Sequence, residues 1–422
     1  MTAAREALKD KKLWAILIFA LAVRSVLAIT DHVRPILPAH NYNDAAIFHT
    51  FAVQYRDSEV EISLPPGKEL YTIWTAAIYT FFGETPLGPR LINTLLAAFS
   101  IALWYFITLN LFSRKTAVLA AFTIAIWPSH AFFSGQHLKE ALQMLILPLV
   151  FTAGLHQMEE HPRNEITARL PGLAMTSAFL ILLGFIRAFF LPIIGGSFLL
   201  GSAVAFRRWR SVAPVLLSIL VGILAYPVVN KAVITTDNSE KVSLFIPTGN
   251  LAEKNISPSL MSPKWIEQLR NKRQRASQQW SKYHTSRRVE TQIFPGQKFD
   301  HWGDVAAFAP KSTFYALFMP LPGLYPINGK LSRALSAFEN TVLLVIFLLA
   351  MAGFVQAPKP AGKTTLIMFF FLISISSGLF EFDLGSATRH KLHYFPFLFP
   401  FAIQFVLNFI QRSCDNNSAR SS

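Results

Sequence analysis

Cysteine is nearly absent: the chain of 422 residues has one, Cys414. A single thiol excludes an intramolecular disulfide and any metal site built on paired cysteines. Charge is also scarce, since Asp, Glu, Lys and Arg make up 15% of the chain, against about 25% in soluble domains. The glycines spell neither a phosphate loop nor a dinucleotide fingerprint, and no zinc motif occurs, so nothing supports nucleotide use. His130 and His137 are close in sequence, but their spacing is not that of a metal pair. No internal repeat or low-complexity tract appears, which sets aside repeat architectures.

What is plentiful is apolar: 52% of the residues are hydrophobic, and 38 of them are phenylalanine. A bilayer core needs about 20 mostly apolar residues per helix, and roughly ten runs qualify. They lie near 13–30, 89–111, 116–132, 140–157, 170–188, 190–206, 211–229, 338–355, 364–381 and 392–410. The expected fold is therefore an all-α membrane protein of about ten transmembrane helices, a single polytopic domain over residues 1–422. The opening "MTAAREALKDKK" is too charged, and the run after it too long, for a cleaved signal, so the first run is kept as a span.

With the N-terminus in the cytoplasm, the returning segments "SRK" at 113–115, "MEEHPRNEITAR" at 158–169, "RRWR" at 207–210 and "APKPAGK" at 357–363 are rich in Lys and Arg, as the positive-inside rule requires. Two outer segments are then long, 31–88 and 230–337. The first should hold two helices lying at the membrane face, broken at Pro65–Pro66. The second carries the basic stretch 264–290, read as lying on lipid headgroups or capping a cavity. The formal net charge of +15 sits largely in loops beside the membrane, which points to anionic lipid and anionic substrate as partners, and not to nucleic acid.

An ionisable side chain inside a span costs about 2.5–3.5 kcal/mol at the bilayer centre, so each is a functional candidate. Asp44, in "HNYNDAAIFHTFAVQYRD" just outside the first span, has Tyr42 before it and His49 just over one helical turn on. A carboxylate at the rim of an apolar cavity can be tuned into a general base, though a helix N-cap would explain the residue equally well. Lys139 and Glu140 sit where the fourth run begins. Neighbours in sequence do not face each other on a helix, so they suit different partners, and the helix dipole alone would favour Glu140 there. Arg24 and Arg187 fall in the outer halves of their spans, and "FDLGSATRHKLHYFPFLFPF" puts Arg389, His390, Lys391 and His393 at the mouth of the last. Such cations suit a lipid-linked phosphate; each alone is also explained by snorkelling to the interface.

The order of these features resembles the GT-C superfamily of integral membrane glycosyltransferases, in particular the bacterial branch of protein O-mannosyltransferases and lipid A aminoarabinose transferase. The resemblance rests on Arg24, on "NDAAIFHTFA", on the stretch from "PPGKELYTIWTAAIYTFFGETPLGPRLIN" to "WPSHAFFSGQHLKEAL", and on "GSATRHKLHYFPFLFP". It implies a polyprenyl-phosphate sugar donor, a lipid, polysaccharide or protein acceptor reached from the periplasmic side of a bacterial inner membrane, and inversion at the anomeric carbon. By the same resemblance Asp44 is the first-loop acid that acts as base or positions the acceptor, and Glu140 the acid after the third span. Arg187, Arg389 and Lys391, with Lys139, would hold the lipid phosphate. Many relatives have two adjacent acids in the first loop, whereas here Asn43 and Ala45 flank Asp44; that leaves use of a divalent cation open. Two rival readings are an O-antigen polymerase or ligase taking a diphosphate-linked glycan, and a lipid-linked sugar transporter or flippase.

Overall fold

The computed structural model describes residues 8–37, 42–57, 67–158, 170–204, 209–234, 267, 269–271, 273–274, 292–294, 297–325 and 331–421. Among them there is no strand, only an isolated bridge between Gln292 and Asp383. Pro65–Pro66 and most of the basic stretch 264–290 lie outside the described residues. Two compact units emerge: unit 1 is Met1–Asp237, Val342–Leu372 and Leu392–Ser422, and unit 2 is Asn238–Thr341 and Ile373–Lys391.

The helices are α1 Lys11–Val33, α2 Asn43–Asp57, α3 Glu69–Phe82, α4 Leu87–Leu111, α5 Arg114–Ile126, α6 Pro128–Ser134, α7 Glu140–Met158, α8 Leu170–Arg187, α9 Phe190–Val204 and α10 Trp209–Ile234. They are followed by α11 Trp302–Phe318, α12 Leu331–Gln356, α13 Pro360–Phe380, α14 Leu384–Lys391 and, after a 3-10 turn at Phe395–Phe397, α15 Phe399–Ser421. Among the described residues eight are long and apolar enough to cross a membrane, or nine if a bent pair counts as one span, so the protein is a multi-pass membrane protein. Two of the ten runs account for the shortfall. The third bends by 63° between α5 and α6, where Pro128 opens a new helix that cannot continue the old one. The sixth gives only the 15 residues of α9, about 22 Å of helix at 1.5 Å per residue.

Local chemistry sets where these helices start. Asp10 caps α1, its carboxylate accepting from Lys12 N at 3.0 Å, and the same group accepts from Tyr105 Oη at 2.6 Å and Arg114 Nε at 2.8 Å. One carboxylate thus ties the start of α1 to the end of α4 and the start of α5. At the α5–α6 bend, Arg24 donates to the carbonyls of Ile124 and Ala125 at 3.2 and 3.0 Å, two of the acceptors a helix leaves unpaired at its C-terminus. Gly135, which ends α6, passes so close to α1 that an added Cβ would lie 3.0 Å from Ala28 Cβ.

Deeper in unit 1 the core is aromatic. Phe151 of α7, Phe369 of α13 and Phe397 meet with ring centroids 4.6 to 4.9 Å apart, and Trp104 of α4 stands edge-on to Phe397 at 4.6 Å. Edge-to-face pairs of this kind add about 0.5–1.5 kcal/mol each beyond their burial. They contribute orientation where lipid removes the usual hydrophobic drive between helices.

Unit 2 has a small core of its own, Leu269, Phe299, Val305 and Phe308, with Phe294 and Leu379 packed against it. Arg273, from the basic stretch, is buried there: its guanidinium donates to the carbonyls of Leu379 and Ile293, both at 2.8 Å, and lies 5.0 Å over the Phe308 ring. Burial pushes it down to about 10. His301 and Asp304 cap α11 reciprocally, each side chain accepting from the other's backbone N–H.

Candidate active site

One group of polar residues of unit 1 lies at the end where α1 and α8 finish and α4 and α7 begin. Asp44, half-buried, stands in the first turn of α2. One turn on, Phe48 packs edge-to-face on Tyr71 of α3 at 4.8 Å and against Leu138, with Lys68 Nζ 5.6 Å over its ring. This anchors the face of α2 that carries Asp44 toward residues 138–139.

Lys139 reaches across that face. Its ammonium donates to Gly67 O at 2.7 Å and Ile186 O at 3.0 Å, joining the start of α3 to the end of α8. Gly67 has φ +76°, and a Cβ there would lie 3.3 Å from Ile186 O, so glycine is what permits the approach. Burial and the neighbouring Arg187 charge push the Lys139 amine down to about 8, while Glu140 and Asp44 hold the proton on. An ammonium has three donors, and two are committed to carbonyls.

Glu140, the first residue of α7, and Arg187, the last of α8, are both buried, and Arg187 Nη2 lies 3.4 Å from Glu140 Oε1. Asp44, Lys139, Glu140 and Arg187 therefore form one neighbourhood of alternating charge, contributed by segments some 140 residues apart. His49 faces elsewhere: its Nδ1 pairs with Tyr79 Oη at 2.8 Å, and the Tyr79 ring stacks edge-on against buried His137. Desolvation, then the charges of His49 and Arg90, push His137 down to about 3, so it is neutral. Tyr42 donates to Asp31 Oδ1 at 2.5 Å, and burial together with that carboxylate pushes its phenol up to about 12.

Arg24 stands apart from this cluster, fully buried at the α5–α6 bend, where it also bonds His130 Nδ1 at 3.1 Å. Arg389 and Lys391 belong to unit 2. Lys391 is buried, donating to Leu317 O at 3.4 Å and to Asn340 Oδ1, and burial pushes its amine down to about 8; Arg389 is half-buried in α14. Sequence reading missed Lys68, Gly67, Asp31 and Arg90. Arg90 carried a usable signal, a guanidinium at the second position of the apolar run 89–111; the others carried none.

Among the described residues no three of His, Cys, Asp and Glu stand together as ligands to a metal would. Glu140 has a guanidinium beside it and Asp44 an ammonium nearby, an arrangement suited to organic cations. No chemical step is assigned to a divalent ion.

No protein-family model and no curated protein matches the sequence. The backbone does match solved structures. The archaeal oligosaccharyltransferase AglB from Archaeoglobus fulgidus, in complex with an inhibitory peptide and a dolichol-phosphate, superposes with a TM-score of 0.52 over 97% of this chain at 14% identity. At this identity the likeness is one of fold: the helices follow the same path as those of the archaeal protein's membrane-spanning structure. The chain spans about half the archaeal protein, 52% of its length. A second structure of the Archaeoglobus fulgidus oligosaccharyltransferase, tethered to an acceptor peptide, gives 0.49 at 12% identity, covering 96% of this chain and 50% of that one. ArnT from Cupriavidus metallidurans bound to undecaprenyl phosphate gives 0.42 at 13%, covering 90% and 78%.

Proposed function

We propose that this protein is a glycosyltransferase that moves a sugar from a polyprenyl-phosphate donor to an acceptor hydroxyl, with inversion, on the periplasmic side of a bacterial inner membrane. The observation that carries the reading is the grouping of Asp44, Lys139, Glu140 and Arg187 at one end of the spans of unit 1. A base and a pair of cations stand together where an apolar lipid chain and a water-borne acceptor can both arrive. That a protein of the same fold is held in complex with a dolichol-phosphate supports the donor class.

In the proposed step, the acceptor oxygen attacks the anomeric carbon and gives its proton to Asp44. The bond from that carbon to the phosphate oxygen breaks, and the electron pair leaves with the polyprenyl phosphate. Lys139, through its third N–H, and Arg187 meet the charge growing on the phosphate. Fixed cations in a water-poor site supply several kcal/mol of such stabilisation with little reorganisation. Glu140 orients Arg187. In unit 2, Arg389 and Lys391 are further candidates to contact a lipid phosphate, and the acceptor is a lipid, polysaccharide or protein hydroxyl.

The test compares, by mass spectrometry, surface glycans and lipid-linked sugars in cells with the wild-type protein, without it, or with Asp44→Asn at matched membrane levels. Loss of one sugar from a glycan, together with accumulation of its polyprenyl-phosphate form, is expected in both the null and Asp44→Asn cells. A null that changes glycans while Asp44→Asn does not would remove Asp44 from the mechanism. A null that changes nothing would remove the activity itself.

A further inference from the structure

Asp31, in the last turn of α1, is buried to 1% exposure and accepts four hydrogen bonds. Oδ1 accepts from Ile36 N at 2.9 Å and Tyr42 Oη at 2.5 Å; Oδ2 accepts from Arg90 Nη1 at 2.9 Å and Gln136 Nε2 at 3.1 Å. A carboxylate has about four acceptor directions, so all are used and the group cannot serve as a base. The place is also a costly one. A negative charge in the last turn of a helix opposes its dipole, and a buried ion pair is often no more stabilising than an apolar pair of the same volume.

What the four bonds share is where their donors lead. Tyr42 immediately precedes α2 and stands two residues before Asp44. Gln136 stands three residues before Lys139 and four before Glu140. The loop between them is pinned a second time by Asn93 of α4, whose Nδ2 donates to Gln136 O at 2.7 Å and Leu138 O at 3.1 Å. Arg90, from the first turn of α4, also donates to Ala28 O at 3.3 Å, closing the link back to α1. One carboxylate therefore holds the root of the helix that carries the proposed base and the root of the loop that leads to the proposed cation and acid.

We infer that Asp31 is a positioning residue which, through Tyr42 and Gln136, sets the spacing between Asp44 and the Lys139–Glu140 pair. The inference rests on the reading of those residues given above. A misplacement of about 1 Å at a reacting group can cost about a hundredfold in rate, so the effect should be catalytic before it is structural.

Tyr42→Phe is the variant of choice, because it removes one of the four donors and keeps the ring. In a Cys414→Ser background, spin labels at Thr50→Cys on α2 and Lys115→Cys at the start of α5 report the position of α2 without any ligand. Tyr42→Phe and Asp31→Asn should broaden the interlabel distance distribution. In cells, Tyr42→Phe should lower glycan product per folded protein by about tenfold to a hundredfold when Asp44 is present. It should have less than about a twofold effect on the residual turnover of Asp44→Asn, because residues acting through one another are not additive. An unchanged distance distribution, or an equal loss with and without Asp44, overturns the positioning role. If Asp44→Asn alone keeps wild-type turnover, the reading of Asp44 as base fails, and the distance measurement still decides whether Asp31 fixes α2.

Discussion

Lys139 offers a pH-dependent signature of the donor site. Its amine is pushed down to about 8, chiefly by burial and then by Arg187, against about 10.4 for a free lysine. In the empty site the ammonium is therefore present below about pH 8 and lost above it. The stability linkage runs in the corresponding direction: the folded protein binds this proton less tightly than the unfolded chain, so Lys139 favours folding more as pH rises from 8 toward 10.4. Ligand binding should run the opposite way. Polyprenyl phosphate has a second ionisation near pH 6, so above pH 7 the lipid is fully charged and the remaining change belongs to the protein. A charge-assisted hydrogen bond contributes about 1.5–3 kcal/mol, or roughly 10- to 150-fold in Kd. Undecaprenyl phosphate binding to nanodisc-embedded protein, followed by native mass spectrometry from pH 7 to 9.5, should weaken by up to tenfold per unit above about pH 8. Lys139→Arg should remove the step even if its overall affinity is lower, since guanidinium stays charged; Lys139→Met should bind weakly throughout. A wild-type profile flat to pH 9.5, or a step that survives in Lys139→Arg, refutes the assignment.

Other outcomes follow from the helix ends. The Arg114 guanidinium, with Tyr105 and Lys12 N, holds the Asp10 carboxyl well below the usual carboxylate range; its contribution is present above about pH 4 and lost as acid protonates it. Asp10→Asn should lower the thermal midpoint in detergent at pH 7 and flatten its fall between pH 5 and 3, and a parallel fall would refute that ion pair. Gly135→Ala forces a methyl to 3.0 Å from Ala28 Cβ. Overpacking of this kind costs about 1–3 kcal/mol, so the melting midpoint should drop, and Ala28→Gly should restore part of it.

Much of the fold was legible because apolar length and helix punctuation are local properties. Asn43 to Asp57 forms a helix, as its pattern suggests, and Glu69–Phe82 is the short helix its 14 residues allow. The bend at Trp127–Pro128 was not foreseen, although Pro128 signalled it, because the apolar run continues through it unbroken. Among the site residues, Lys139 and Glu140 were visible as charges at a span's edge. Which cation each would meet was not, because the answer depends on helices packing far along the chain. Asp31 was passed over because a carboxylate at a span's end reads as an ordinary interfacial residue until its four donors are seen.

The arginines make the same point in testable form. Arg24 and Arg187 look alike in sequence, each in the outer half of an apolar run. The first spends its guanidinium on the carbonyls of Ala20, Ile124 and Ala125 and on His130; the second stands beside Glu140. Arg24→Met should therefore act on the fold, leaving helix-end carbonyls without donors at about 1–3 kcal/mol each, with donor affinity per folded molecule unchanged. Arg187→Met should also destabilise, by about 3–5 kcal/mol, because a buried carboxylate loses its countercharge. Adding Glu140→Gln removes the carboxylate charge that faced Arg187 and should restore part of the melting midpoint without restoring undecaprenyl phosphate binding. If the double variant recovers both, Arg187 serves only to neutralise Glu140 and has no part in holding phosphate; if Arg24→Met loses lipid binding at full stability, the division between the two arginines is wrong.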